Sequence, residues 1–161
     1  MKPPFLKLAA AVLATTALSL GPALAAPYEK GQSIAPFQAK DQFENAFTFK
    51  PEETRFLLVS HDMETGKKAN AVLSPLGKDY LGSKKAVYMA NIFGMPGIGR
   101  MFAMPKMKKY DHKIVLADDE ALIARFPAQA GKVTVLTLAN GKVSSIAYWT
   151  PGTEGIEEFL K

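Results

Sequence analysis

Two apolar, β-branched runs, Val133 to Leu138 and Val143 to Tyr148, are joined by Ala139-Asn140-Gly141-Lys142, and this stretch constrains the fold more than any other. Asn-Gly supplies the two positive-φ residues that a type I′ turn requires, so the chain must contain an antiparallel hairpin there. Upstream, Arg55 to Ser60 reads Arg-Phe-Leu-Leu-Val-Ser and Ala86 to Ala90 reads Ala-Val-Tyr-Met-Ala. Such short, non-alternating apolar runs belong to strands covered on both faces. Lys113 to Leu116 predicts a further strand. Between the strands, Ala69, Val72, Leu73, Leu76 and Tyr80 form a helical stripe within residues 65–81, with Pro75 predicting a kink. Residues 96–110 predict a helix in two pieces broken around Pro105. Asp118-Asp119 can cap a helix from Glu120 to Phe126, their carboxylates facing the positive end of its dipole. Pro151-Gly152 closes the hairpin before a terminal helix from Glu154 to Leu160. Gly31 to Phe43 reads as an extended opening segment, Pro36 biasing Ala35 away from helix. Strands alternating with helices predict an α/β fold, its central mixed sheet flanked by helices on both faces.

The N-terminus carries Lys2 and Lys7, thirteen largely apolar residues from Leu8 to Leu20, and a small-residue site at Ala23-Leu24-Ala25. This pattern predicts a cleavable export signal over residues 1–25, cut after Ala25, followed by one domain over residues 26–161. At about 1.5 Å per residue the apolar run is too short for a bilayer core of about 30 Å, so no stable membrane anchor is expected. Export places the protein most simply in a bacterial periplasm. Loss of Lys2 and Lys7 leaves 18 basic against 15 acidic residues, a net charge of +3. So mild an excess does not call for nucleic acid as a partner. It is concentrated at Arg100, Lys106, Lys108, Lys109 and Lys113, which face only Asp111 locally and read as a solvated basic face. The chain has no cysteine, which removes disulfides, thiolate nucleophiles and thiolate-held metal clusters together.

Gly31 to Phe37 is similar to the opening Gly-x-x-Ala-Pro-x-Phe segment of the peroxiredoxin and secreted thioredoxin-like branches. The strand ending in Asp118-Asp119, the helix with Leu122 and Phe126, Val133-Thr134 and the Asn140-Gly141-Lys142-Val143 turn follow the order of a thioredoxin second half. The chain thus resembles the thioredoxin-like superfamily over most of residues 26–161, and the resemblance implies a thioredoxin-like fold. It departs from that family at its chemistry. Where the family carries redox cysteines, this chain has His61-Asp62-Met63-Glu64-Thr65-Gly66-Lys67-Lys68. Where the family keeps a cis-proline, it has Val133. A thioether has no ionisable proton, so methionine cannot replace cysteine in thiol exchange. The resemblance therefore implies a redox-inactive module. In that fold the 61–68 loop, the 94–107 segment and Val133 would lie together as a binding edge for a periplasmic protein or small ligand, with His61, Asp62, Met95, Met101, Phe102, Met104 and Val133 as its candidate residues.

Residue chemistry offers three alternatives. Met101, Met104 and Met107, spaced to share one helix face, with His112 just beyond, are the soft donor set a Cu(I) site would use. The surrounding Arg100, Lys106, Lys108 and Lys109 oppose a cation there, which favours packing or docking for these methionines. His61 beside Asp62 and Glu64 could serve as a general base, although no nucleophile is placed by a motif. A flavin-binding oxidoreductase finds no support: Gly94-Met-Pro-Gly97-Ile-Gly99 is the reverse of the Gly-x-Gly-x-x-Gly fingerprint, and serves at most as a weak anion-binding turn. No resident cofactor is therefore expected.

Overall fold

A computed structural model describes residues 24–161. The leader read over residues 1–25 lies outside them except for its last two residues. No helix among the described residues is long and apolar enough to cross a membrane. The elements in chain order are β1 (Gln38–Asp41), β2 (Ala46–Thr48), β3 (Phe56–Ser60), α1 (Met63–Leu73), α2 (Tyr80–Ser83), β4 (Ala86–Asn91), α3 (Gly97–Met107), β5 (Val115–Ala117), α4 (Glu120–Ile123), β6 (Val133–Ala139) and β7 (Lys142–Trp149). Single 3-10 turns occupy Pro51–Glu53, Ser74–Leu76 and Ile156–Glu158. One seven-stranded sheet runs β2-β1-β5-β4-β3-β6-β7. Its centre is parallel, β3 with β4 and β4 with β5, and its flanks are antiparallel.

The non-alternating run at Phe56–Ser60 is explained by its place in the sheet. β3 is paired on both edges, Leu58 standing opposite Tyr88 on one side and Val135 on the other, and all five residues are buried. From β3 through β4 to β5 the chain steps across the sheet in one direction. Right-handed crossovers then put both connecting helices on the same face. Accordingly α1 and α3 pack side by side over Phe56, Leu58, Tyr88, Ala90 and Val135. Trp149, Ile156 and Leu160 complete that layer. The opposite face, with Leu57, Val59, Met89 and Leu136, is covered by Tyr28, Ile34 and Phe49 from the N-terminal region and by Leu122 and Ile123 of α4. Helices do lie on both faces, but the second is covered mainly by extended chain.

Several boundaries differ from the sequence expectations. Asp62 starts α1, its Oδ1 accepting from Thr65 N at 2.8 Å, and Pro75 ends the helix instead of kinking it, the chain resuming as α2 after Gly77. Conversely α3 is continuous through Pro105. That proline lies in the last turn, where one lost hydrogen bond is tolerated, so the expected break is absent. The helices expected at 120–126 and 154–160 shrink to one turn each. The extended opening segment holds a strand and half of a β-hairpin that sequence reading left undivided. Asp41 makes that turn by accepting from Phe43 N at 2.8 Å and Asn45 N at 3.0 Å, with Glu44 at φ 66°. Buried Gln42 then ties the turn to the strand entering the core: its Nε2 donates to His112 O and its Oε1 accepts from Ile114 N, both at 2.8 Å.

The Asn140-Gly141 turn is as expected, with φ 50° and 74°. Gly141→Ala places a side chain in left-handed backbone with its Cβ 3.4 Å from Pro51 Cβ. It is expected to destabilise the fold by about 1–2 kcal/mol, read as a lower urea midpoint with an unchanged m-value.

Candidate functional site

Because α1 and α3 leave the sheet from the carboxyl ends of adjacent parallel strands, they diverge around a cleft there. Ser60 from β3 and Ala90 and Asn91 from β4 form its floor. Met63, Gly66, Lys67 and Asn70 of α1 form one wall, and Met95, Phe102, Ala103, Lys106, Met107 and Tyr110, on and around α3, the other. The cavity measures about 260 Å³. Gly66 lets α1 sit low over β3: a Cβ there would lie 3.2 Å from Ser60 Oγ.

The polar side chains of the cleft are occupied by partners within the protein. Ser60 Oγ and Tyr88 OH are 3.0 Å apart, and burial pushes the Tyr88 phenol above its ordinary range. Asn91 Nδ2 donates to His61 O at 3.0 Å while its Oδ1 accepts from Phe93 N. Asn70 Oδ1 lies 2.9 Å from His112 Nε2. Since an amide oxygen only accepts, His112 carries its proton on Nε2. Its ring is fully buried, Nδ1 has no partner among the described residues, and desolvation pushes its pKa down to about 4, against a weaker opposing pull from Asp111. This histidine is neutral under ordinary conditions.

The start of α3 is anchored by the Arg100 guanidinium. Arg100 forms a two-pronged pair with Asp118 at 2.6 and 2.5 Å, donates through Nε to Met95 O at 3.2 Å and through Nη2 to Ile92 O at 3.1 Å. The Arg100 bonds hold the Asp118 carboxyl below the usual carboxylate range. Read in sequence as part of a solvated basic face, Arg100 instead clamps the start of α3 to the end of β4 and to the residue after β5.

The expected site residues divide. Asp62, Met95 and Phe102 do line one cleft. Phe102 and Met101, together with Ile98, form an exposed apolar ridge on α3, 65%, 69% and 70% accessible. Met104 faces the other side of α3, toward a second recess of about 500 Å³ beside β1 and β5. Val133 is fully buried in the core opposite Trp149, so its side chain cannot form a binding edge. Its neighbour Thr134 is the one that touches the 61–68 loop. Thr134 Oγ1 donates to Pro127 O at 2.5 Å, so it accepts from His61 Nε2 at 3.1 Å. Burial lowers the His61 pKa. Burial pushes the Asp62 carboxyl up, but its bonds from Thr65 N and Oγ1 outweigh this and hold it low. Asp62 is therefore a helix cap, and the His61–Asp62 pair is not arranged as an acid–base dyad. The four proposed copper donors are not gathered either: Met101 projects outward, Met104 and Met107 line different recesses, and His112 is buried on Asn70. Asn70 is absent from the expected residues, while Lys67 enters them only within the 61–68 stretch and Lys106 only within the 94–107 segment and the basic face. Asn70 had a legible signal, being a polar residue in the buried stripe Thr65, Gly66, Ala69, Asn70, Leu73.

Two measurements check this geometry. Arg100→Lys keeps the charge but loses the fork, and is expected to speed amide hydrogen exchange across residues 97–107 with little change in α1. For His112, the folded pKa lies below the unfolded value of 6.5, so the unfolded chain binds the proton first. Stability present above pH 6.5 is then lost as pH falls toward about 4. His112→Gln is expected to flatten that part of the urea-midpoint profile.

No family model matches the chain, and no curated protein does. Solved structures do. It is similar to the thioredoxin domain of a thiol-disulfide oxidoreductase of Bacteroides vulgatus, at TM-score 0.53 and 11% identity over 83% of this chain and 99% of that one. It is likewise similar to a peroxidoxin of Mycobacterium tuberculosis (TM-score 0.54, 12% identity, 81% and 93% of the chains). A thio-disulfide isomerase of Thermus thermophilus gives TM-score 0.51 at 18% identity, over 83% and 95%. Likeness at these identities establishes architecture and not activity. The chain is an α/β protein of thioredoxin-like fold that contains no cysteine.

Proposed function

We propose that this protein is a binding module of the exported compartment, built on a thioredoxin-like fold, which holds a periplasmic partner or small ligand in the α1/α3 cleft and performs no thiol chemistry. One observation carries the reading: an apolar cleft whose Ser60, Asn70 and Asn91 side chains already have partners within the protein, flanked by the exposed Met63, Ile98, Met101 and Phe102. A surface of this kind marks an interaction site. Without a thiolate there is no nucleophile for disulfide exchange or peroxide reduction. The leader pattern at residues 1–25 supports export.

Native mass spectrometry of the protein purified from its own periplasm tests the reading. The expected result is a bound mass that disappears in Ala103→Trp, which fills the cleft. A copper or flavin mass that this variant leaves in place would argue for a different site. The pure protein is also expected to show no catalytic insulin reduction and no peroxide consumption, and turnover in either assay would overturn the proposal.

A further inference from the structure

Resting on the cleft reading above, the geometry points to a specific ligand class: we propose that the α1/α3 cleft takes a medium-chain anionic amphiphile, its alkyl tail between the helices and its carboxylate at Lys67 and Lys106. The walls facing the tail are Met63, Met95, Phe102, Ala103 and Met107. Unbranched thioether side chains adapt to a flexible chain better than branched ones do. A volume of about 260 Å³ accommodates on the order of nine methylene groups, taking each as similar in size to a water molecule, about 30 Å³. The nine-carbon tail of a ten-carbon acid matches that space.

The sign of the head follows from what is left unmatched. Ser60, Asn70 and Asn91 have partners inside the protein. Asp62, the one acidic residue in the lining, has both carboxylate oxygens on Thr65. On the outer surface of α1, Glu64 pairs with Lys68 at 3.6 Å. Lys67 and Lys106, one from each wall, form no ion pair among the described residues. They are the charged groups of the cleft that remain unmatched, and an anion between them bridges the two helices.

Calorimetry of the purified chain with decanoate, decanol and decyltrimethylammonium tests this. Decanoate is expected to bind at micromolar concentration, at least tenfold tighter than either of the others. Shortening the acid should weaken it by about fourfold per methylene. The double variant Lys67→Glu, Lys106→Glu changes two exposed residues outside the core. It should weaken decanoate at least tenfold while moving decanol less than twofold. Equal affinity for the cationic and anionic amphiphiles, or decanoate binding that survives charge reversal, would overturn the ligand class. If the natively purified protein carries a mass that Ala103→Trp removes but decanoate cannot displace, the ligand class falls and the cleft reading stands. Absence of both a bound mass and decanoate binding would overturn the two together.

Discussion

The molecule is organised by the burial of β3 on both faces. Its five residues leave no water contact to either layer, and a strand so placed requires neighbours on both edges and cover above and below. Parallel pairing with β4 and then β5 supplies one edge, and the hairpin strand β6 the other. The same one-directional step from β3 to β5 sends both crossover helices to a single face. Two helices side by side at the carboxyl ends of parallel strands diverge at their tips, so the cleft is a consequence of how the core is closed.

Around that cleft the fold uses polar side chains as struts. His112, neutral because it is buried, holds Asn70 of α1. Tyr88 holds Ser60, and Arg100 fixes α3 to two backbone carbonyls, Ile92 O and Met95 O, and to Asp118. Each contact satisfies a buried or half-buried group that would otherwise be costly. The result is a largely apolar recess in which the exposed charges are Lys67, Lys106 and the helix-capping carboxylate of Asp62. Compared with solved proteins of the same fold that are described as thiol oxidoreductases, this chain keeps the architecture and lacks the residue type that such chemistry requires.

Much of the architecture was legible. The β3 and β4 runs, the hairpin and the α1 stripe each rest on a local pattern whose period differs from its neighbours, and all are found. The β1–β2 hairpin was not legible. Its strands are four and three residues long, and the turn depends on the Asp41 side chain instead of a glycine. Pro75 and Pro105 show the same limit. Both are prolines in helical stripes, yet one ends its helix and the other does not, because what matters is the distance to a helix end that packing sets.

By itself, the sequence determined that no cysteine thiol is present, since that is a matter of composition alone, and it determined the alternation of strands and helices through hydrophobic period. The tertiary structure decided which residues meet. His112 and Asn70 are 42 positions apart, Arg100 and Asp118 are 18 apart, and Val133 is interior while Lys67 and Lys106 face one cleft. Local periodicity says which side of an element is apolar. Only the stacking of elements, with the handedness of their connections, says what that side faces.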